Sequence, residues 1–252
     1  MYTLRKVLAG KKIYQVLAKI YHFINDETMR LRLIFSSVKY LAPLKLGGNY
    51  KSQYGQDYYL EKLGLLVPKG FFVEIGCNHP IYNSNTYYLE KKLGWRGVSI
   101  DALDYSDLYR VERENTIFVN VVIDEKEDEV DFYRVKDVDG WENQVSSLHK
   151  QTLRMGKGFE AEVVKVNALP LSKIREITEE IDLCFIDVEG HEFSVLRSID
   201  FRTRPPKIFV IENNGAYYPR RSLVSFLKER GYRHFARIGT ADDIFVAHCA
   251  GF

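Results

Sequence analysis

Short apolar runs alternate with helical stretches from residue 70 onward, and this alternation constrains the fold more than any other feature of the sequence. Strands are predicted at residues 71–75, 97–101, 117–123, 130–135, 181–187 and 207–212. Strands separated by helices predict βαβ crossovers, and hence a mostly parallel sheet that is covered on both faces. Residues 232–238 and 244–247 predict a C-terminal antiparallel hairpin. The sequence therefore predicts an α/β fold, a doubly wound domain.

The first 49 residues differ from the rest of the chain, because they are basic and carry apolar residues at helical spacing. Two helices are predicted there, the second running from about Glu27 to Leu41 and ended by Pro43. A cluster of small and polar residues at 47–49 predicts a hinge. The chain therefore divides into a helical N-terminal arm, residues 1–49, and a main domain, residues 50–252.

Two roles are open for the N-terminal arm. It packs on its own domain or on a second subunit, which would make a homo-oligomer, or it lies on an anionic membrane surface as a peripheral helix. The membrane alternative would place a set of lysines beside lipid headgroups: Lys6, Lys11, Lys12 and Lys19.

Charge and cysteine content exclude several classes of protein. The 36 Lys and Arg residues nearly balance the 34 Asp and Glu residues, so the net charge of +2 gives no strong field for nucleic acid. Three cysteines without metal-finger spacing argue against a disulfide scaffold and a structural zinc site. The sequence shows no secretory signal and no apolar run long enough to span a membrane. We therefore expect a cytoplasmic protein with no nucleic-acid partner.

Acidic side chains stand at the predicted ends of four strands, at Glu74, Asp101, Asp187 and Glu212. Open parallel sheets bind ligands beyond the carboxyl ends of their strands, so these residues are expected to share one site. A carboxylate at the end of the second strand, here Asp101, is suited to accept hydrogen bonds from both hydroxyls of a ribose.

The loop that follows Glu74 indicates which cofactor the site would take. Residues 76–80 lack the repeated glycines of a dinucleotide fingerprint, and Pro80 has no amide to offer a pyrophosphate. NAD is therefore disfavoured, and the chain contains no phosphate-binding P-loop motif either. An acidic residue at the end of the first strand suits a cationic ligand instead, such as the sulfonium and ammonium groups of S-adenosylmethionine.

Five short motifs follow one another along residues 50–250: SQYGQD at 52–57, FVEIGCN at 72–78, SNT at 84–86, GWRG at 94–97 and DVEGHE at 187–192. In this order they resemble the FkbM family of S-adenosylmethionine-dependent methyltransferases. The resemblance implies a Rossmann-like sheet of the class I methyltransferase type, with the cofactor over the first two strands. The chain departs from the family pattern in having Glu74 where Asp is more common, His79-Pro80 in place of a glycine-containing turn, and Asp101-Ala102 where Glu-Pro is common.

The resemblance also implies a role for individual residues of the cofactor site. Glu74 and Gly76 would contact the methionine part, Asp101 the ribose, and Asn120 with Val121 the edge of the adenine. The motif matches add further residues to the cofactor or acceptor pocket: Gln53, Gln56, Asp57, Asn78 and Asn85.

Methyl transfer to a hydroxyl requires a base or a metal that takes up the hydroxyl proton. Asp187, Glu189 and His191 are the candidate catalytic residues, because they lie at or just beyond the end of the fourth main strand. A histidine also titrates near working pH. The alternative is that Glu189 and His191 only cap the helix that follows.

A metal site is a second possibility at the same strand ends. Asp187, Glu212 and Asn213 present three oxygen ligands, the kind of set that Mg²⁺ or Mn²⁺ prefers. The arrangement is similar to the Mg²⁺ site of catechol O-methyltransferase, where the ion would acidify a substrate hydroxyl. Glu212 is also open to interpretation as a helix-capping or substrate-binding carboxylate.

The expected acceptor is a hydroxyl of a sugar or related polyol, nucleotide-activated or glycan-linked, in the biosynthesis of a surface polysaccharide or secondary metabolite. Residues 136–159 are expected to form a lid, with Trp141 and Tyr133 stacking on the sugar and His79 touching the acceptor. The alternative is a non-catalytic binding module that keeps the methyltransferase fold.

Overall fold

A computed structural model describes residues 39–135, 146–148 and 160–250. The helices predicted before residue 39, Trp141 and nearly all of the predicted lid lie outside the described residues. Strands are numbered in chain order: β1 Lys39–Leu41, β2 Phe71–Ile75, β3 Arg96–Asp101, β4 Thr116–Asn120, β5 Val122–Ile123, β6 Asp128–Val135, β7 Ala161–Leu169, β8 Leu183–Ile186, β9 Ile208–Glu212, β10 Tyr232–Ile238 and β11 Asp242–Ala247. The helices are α1 Gln56–Lys62, α2 Tyr87–Leu93, α3 Ser106–Glu112, α4 Glu192–Arg197 and α5 Arg220–Lys228.

An eight-stranded sheet forms the centre of the domain, in the order β1-β10-β11-β9-β8-β2-β3-β4. Strands β4, β3, β2, β8 and β9 all run parallel, so their carboxyl ends lie along one edge of the sheet. β11 is antiparallel to β9 and to β10, which confirms the predicted C-terminal hairpin. The sheet is thus mixed, with a parallel half that matches the predicted strands.

Apolar side chains cover both faces of this sheet because successive residues of a strand point to opposite sides. Val73 and Ile75 of β2 pack in one cluster with residues of α4 and α5, whereas Phe72 packs in a second cluster with residues of α1 and α2. All five residues of β2 are buried. Burial of each large apolar side chain stabilises the fold by roughly 1.5–3 kcal/mol.

A second sheet of three strands, in the order β5-β7-β6, stands beside the edge strand β4. The predicted single strand at 117–123 is wrong in this respect, because the chain leaves the large sheet at Val121 and β5 pairs with β7. The predicted strand at 130–135 is confirmed as part of β6, which pairs antiparallel with β7. β7 was not predicted, and its two charged residues, Glu162 and Lys165, are exposed to solvent.

Residues 39–41 correct the predicted second helix, which was expected to continue to Leu41. They form β1 and pair in parallel with β10 at the outer edge of the large sheet. This pairing joins residues nearly two hundred positions apart, so local periodicity could not reveal it. Among the described residues, no helix has the length and apolar character needed to cross a membrane.

Candidate functional site

One cavity opens at the edge of the large sheet where β2, β3 and β8 end, and it contains about 980 Å³ of empty space including its mouth. Most of the predicted site residues line it: Gln53, Gly76, Asn78, Asn85, Asp101, Val121, Asp187, Glu189 and His191. The predicted residues within the described part of the chain that do not line the cavity are Asp57, Glu74, His79, Asn120, Tyr133, Glu212 and Asn213. The topology explains this convergence, since the carboxyl ends of parallel neighbours meet at one edge.

Asp101 closes β3 on the wall of the cavity. Its carboxylate accepts the backbone N–H of Asn78 at 2.8 Å and that of Leu103 at 2.9 Å. The surrounding protein raises the pKa of Asp101 to about 6, while these amide donors act in the opposite direction. The side chain is therefore fixed and largely ionised at neutral pH, with lone pairs left to accept ligand hydroxyls.

Gly76 follows β2 at the closest approach of two strand ends. Its φ is 79°, and a Cβ there would lie 1.7 Å from the carbonyl oxygen of Asp187. The backbone N–H of Asp187 donates to the carbonyl of Ile75 at 3.0 Å, which holds the end of β8 against that of β2. Glycine is required here because its lack of a Cβ allows the two segments to touch.

Glu74 lies behind the wall of the cavity, which differs from the predicted direct contact with a cofactor. Its carboxylate is almost completely buried and accepts the hydroxyl of Thr86 at 2.6 Å and the backbone N–H of Asn85 at 3.2 Å. Burial raises the pKa of Glu74, against the opposing effects of the Thr86 hydrogen bond and the positive charge of Arg113. The alternation of β2 places residue 74 on the same face as Phe72, so Glu74 supports the loop that follows.

Asn85 offers an unused acceptor at the cavity. Its Oδ1 atom is buried and has no hydrogen-bond partner in the described part of the chain. A buried carbonyl oxygen in this state costs roughly 1–3 kcal/mol until a donor reaches it. An ammonium group of a bound ligand is a donor of the required kind.

Asn120 and Val121, the residues predicted at the adenine edge, are placed differently from one another. Val121 lines the cavity, whereas the Asn120 amide donates to the backbone carbonyls of Asp101 at 3.0 Å and Ala102 at 2.9 Å. Asn120 therefore holds the segment after β3. An apolar part of the wall was not predicted, and the second sheet and its neighbours supply it: Leu103, Val122, Ile123, Phe132 and Leu148.

Two glutamines at the N-terminal end of α1 contribute to the cavity wall, one just before the helix and one at its first position. Gln53 and Gln56 line it, and the Gln56 amide donates to the Asp242 carboxylate of β11 at 2.8 Å. Asp57 is completely buried and accepts the backbone N–H groups of Lys51 and Ser52, so it shapes this segment without lining the cavity.

Three carboxylates gather at the ends of β8 and β9. Asp187, Glu189 and Glu212 each place an oxygen within 4.8 Å of the others. Asp242 stands directly opposite Glu212 in the antiparallel register of β11 and β9. Glu189 holds a positive φ of 50°, an uncommon conformation for a residue with a side chain, and its carboxylate accepts the Tyr217 hydroxyl at 2.7 Å.

Burial, and after it neighbouring negative charges, raise the pKa values of these carboxylates. The pKa of Asp187 is raised well above its usual range, first because surrounding protein displaces bulk water and then because of the charge of Glu189. The pKa of Asp187 is raised even though its side chain is exposed to solvent at the cavity. Burial likewise raises the pKa of Glu212, with the charge of Asp187 next in importance. The cluster therefore favours either a proton or a cation.

The amide nitrogen of Asn213, a residue predicted among the metal ligands, donates to the Asp243 carboxylate at 2.6 Å and to the carbonyl of Arg220 at 3.2 Å. Its Oδ1 atom is buried without a hydrogen-bond partner among the described residues, so its place among the metal ligands stays a prediction. Glu189, predicted as a catalytic residue, joins Asp187 and Glu212 in the carboxylate cluster. The sequence analysis did not indicate Glu192, which accepts the backbone N–H of Gly190 at 3.0 Å just before α4, a helix that has no side-chain cap hydrogen bond.

His191 is the residue just before α4, at its N-cap position, and lines the cavity on the side of the second sheet. Its Nε2 lies 3.4 Å from a carboxylate oxygen of Asp124, just after β5. His79 is occupied otherwise, because its Nδ1 accepts the backbone N–H groups of Ile81 and Tyr82, and it does not line the cavity. Tyr133 also lies outside the lining of the cavity, where its backbone bonds to that of Ser147.

The stability of the ligand-free protein is expected to fall with rising pH because of Asp242. Burial raises the pKa of Asp242 to about 7, so its contribution to stability is present below its unfolded pKa near 4 and is lost as the pH rises through 7. Asp242→Asn imitates the protonated form. We expect it to stabilise the protein at pH 8 by about 2–4 kcal/mol while changing little at pH 4.

Urea unfolding at the two pH values measures this difference. Asp131→Asn on β6, an exposed carboxylate paired with Lys165, is the matched control and should leave the pH dependence unchanged. Equal destabilisation of the Asp242 variant at both pH values would show that the negative charge is tolerated.

The geometry can now be set beside known proteins. The family model of the methyltransferase FkbM domain matches residues 74–234, a range that runs from β2 to β10 and includes Asp101, Asp187 and Glu212. No curated relative matches the sequence significantly. The family match covers well over half of the chain and confirms the resemblance seen in the motifs. The chain therefore belongs to the FkbM family of methyltransferases.

Proposed function

We propose that this methyltransferase transfers the methyl group of S-adenosylmethionine to a hydroxyl oxygen, with cofactor and acceptor side by side in the cavity. The observation that carries the proposal is the contact between the ends of β2 and β8. It brings the Asp101 side of the cavity, suited to a nucleoside, next to Asp187, Glu189 and His191, which are suited to accept a proton. We also assign the sheet order to the Rossmann-like, class I methyltransferase type.

The residues fit this cofactor in three places. Asp101 accepts hydrogen bonds from the ribose hydroxyls, and the Oδ1 atom of Asn85 accepts one from the ammonium group. The apolar wall that contains Phe132 and Val121 packs against the adenine. S-adenosylmethionine supplies a methyl carbon on a sulfonium, a group that a hydroxyl oxygen attacks in line.

The proton of the acceptor hydroxyl would pass to one residue, either Asp187 or His191, as the hydroxyl oxygen takes the methyl group from the sulfonium. The raised pKa of Asp187 makes it a better proton acceptor than an ordinary carboxylate. Glu189 is held at the same edge by the Tyr217 hydroxyl. Its negative charge stabilises a positive charge that develops on His191.

We further propose that Asp187, Glu189 and Glu212 hold a divalent cation such as Mg²⁺ or Mn²⁺. Three carboxylates within 4.8 Å of one another form a hard oxygen donor set, and a cation would offset the burial and the neighbouring negative charges that raise their pKa values. A bound cation would lower the pKa of a coordinated hydroxyl.

Metal binding is expected to release protons, because burial and the charge of Asp187 raise the pKa of Glu212 to about 11 in the ligand-free protein. Titration with Mn²⁺ should therefore give a heat that depends on the ionisation enthalpy of the buffer, and EDTA should lower kcat. Glu212→Gln should weaken Mn²⁺ binding at least about tenfold. Glu179→Gln, at an exposed residue paired with Arg96, is the control. Unchanged activity in EDTA would contradict a catalytic metal.

We propose a sugar as the acceptor class. The described lining of the cavity contains carboxylates but no Lys or Arg, so a neutral or amino sugar fits it better than a nucleotide diphosphate. A nucleotide-activated sugar would require the divalent cation as a counter-charge. The three free cysteines agree with a reducing compartment, and we propose the cytoplasm as the place of reaction.

Transfer of radiolabelled methyl groups tests this function. The protein is incubated with labelled S-adenosylmethionine and a panel of neutral sugars, amino sugars and nucleotide sugars, with Mg²⁺ present. Alkali-resistant label on a neutral sugar, which has no amine to methylate, shows an ether from a hydroxyl, whereas alkali-labile label shows a carboxyl ester. Cofactor binding without any transfer would favour the alternative of a binding module with a methyltransferase fold.

A further inference from the structure

Arg113 is a buried cation whose role the sequence did not indicate. It lies just after α3, is only 2% exposed, and uses its whole guanidinium group. Its donors reach five groups: Glu90 Oε2 at 2.7 Å, the Pro80 carbonyl at 2.9 Å, Ser84 Oγ at 3.2 Å, Thr86 Oγ1 at 2.9 Å and Thr116 Oγ1 at 3.2 Å.

Three of these partners belong to one segment, residues 76–86, which joins β2 to α2 and is called the cofactor loop below. The same loop carries Asn78 and Asn85, both of which line the cavity. Thr86 extends the network, because its hydroxyl accepts from Arg113 and donates to Glu74. Arg113 is thus connected to the cavity through the backbone and hydroxyls of the loop.

The conformation of the cofactor loop requires such support. Asn78 and Asn83 hold positive φ values of 49° and 58°, which cost energy and persist only where surrounding contacts impose them. A planar guanidinium has five donors in a fixed arrangement, whereas an ammonium has three on a flexible stem. Glu90 balances the charge of Arg113 at 2.7 Å, so the cation can remain buried.

We propose that Arg113 is a positioning residue for the cofactor, because it fixes the cofactor loop in the conformation that presents Asn78 and Asn85 to the cavity. The inference rests on the proposed function for the identity of the cofactor. Arg113 does not line the cavity, so we assign it the conformation of the cofactor loop and no part in the methyl transfer itself.

Arg113→Lys tests the proposal with two measurements. Calorimetry with S-adenosylmethionine should show a dissociation constant raised about tenfold, and kcat at saturating cofactor should stay within about threefold of the parent value. Hydrogen exchange of the ligand-free protein should be faster in residues 76–86 than in the parent protein, because this readout follows the loop itself.

Thr116→Val is the matched control. Thr116 also accepts from Arg113 and donates to Glu90, but it lies on β4 and not on the cofactor loop. This variant should lower the melting temperature while leaving cofactor affinity within about twofold and loop exchange unchanged. If Arg113→Lys does not fold, Ser84→Ala removes one loop contact of Arg113, together with the hydrogen bonds that Ser84 Oγ accepts from the backbone N–H groups of Thr86 and Tyr87, and should raise the dissociation constant about threefold.

The outcomes separate the two claims. Parent-like affinity and loop exchange in folded Arg113→Lys, or in Ser84→Ala where that variant is used, would overturn the positioning role. An equal loss of affinity in Thr116→Val would also overturn it, since the effect would then follow stability. If the parent protein itself does not bind S-adenosylmethionine, the proposed function fails, and hydrogen exchange still decides whether Arg113 orders the loop.

Discussion

Replacement of Asp187 by asparagine is expected to lower kcat by about 10²–10⁴-fold, the range that follows the loss of a positioned proton acceptor. The amide keeps the size of the side chain but cannot take up the acceptor proton, and as a neutral ligand it holds a cation less strongly than a carboxylate does. It also removes a negative charge from the cluster with Glu189 and Glu212. We therefore expect the melting temperature of the ligand-free variant to equal or exceed that of the parent, and the affinity for S-adenosylmethionine to change less than threefold.

Asp182 gives a matched control at the opposite end of the same strand. It directly precedes β8, where its carboxylate pairs with Lys207 at 2.8 Å and accepts the backbone N–H of Phe71. Asp182→Asn should lower stability and leave kcat nearly unchanged, the reverse of the result expected for Asp187→Asn. Full activity of the Asp187 variant would remove this residue from the catalytic step.

Replacement of Gly76 by alanine is expected to abolish cofactor binding. A Cβ at this position would lie 1.7 Å from the carbonyl oxygen of Asp187. The backbone fixes the positions of both atoms, and the packed strands hold that backbone in place. Relief of the clash requires the ends of β2 and β8 to separate, which moves the cofactor side of the cavity away from the proton acceptors. We expect a loss of about 3 kcal/mol or more in the free energy of unfolding, measured with urea, and no calorimetric binding of S-adenosylmethionine.

Gly94 is a control position, because a substitution there distinguishes the effect of the clash from the effect of the positive φ. It also has a positive φ, 67°, but a Cβ there would meet nothing within 4 Å. Gly94→Ala should cost about 1–2 kcal/mol and keep cofactor binding. If Gly76→Ala behaved like this control, the close contact between the two strand ends would not matter for the site.

The parallel half of the large sheet was predictable because each of its strands is a short, continuous apolar run. The sequence FFVEI of β2 is buried in full, as such a run predicts. β1 and β7 were not predictable in this way. β1 gains its hydrogen bonds from β10, almost two hundred residues away, and β7 exposes charged residues in a small sheet with little core.

The residues of the site likewise divide into those that were predictable from the sequence and those that were not. Asp101 and Asp187 were predictable, because acidic residues at the ends of parallel strands must share an edge. The contributions of Asp242 and Arg113 were not, since Gln56 meets Asp242 across 186 positions and Arg113 acts through a loop that precedes it in the chain. Glu74 illustrates a further limit: its place in the motif was clear, but only the alternation of β2 against its neighbours shows that it supports the loop from behind.

Calorimetric titration of the purified protein with S-adenosylmethionine measures whether the Asp101 side of the cavity binds this cofactor. Asp101→Ala removes the carboxylate expected to hold the ribose, and Asp131→Asn serves as a surface control. We predict a dissociation constant of about 1–100 μM for the parent protein and the control, and at least about tenfold weaker binding for Asp101→Ala. Absence of binding by the parent protein up to about 1 mM cofactor, with and without Mg²⁺, would contradict the account.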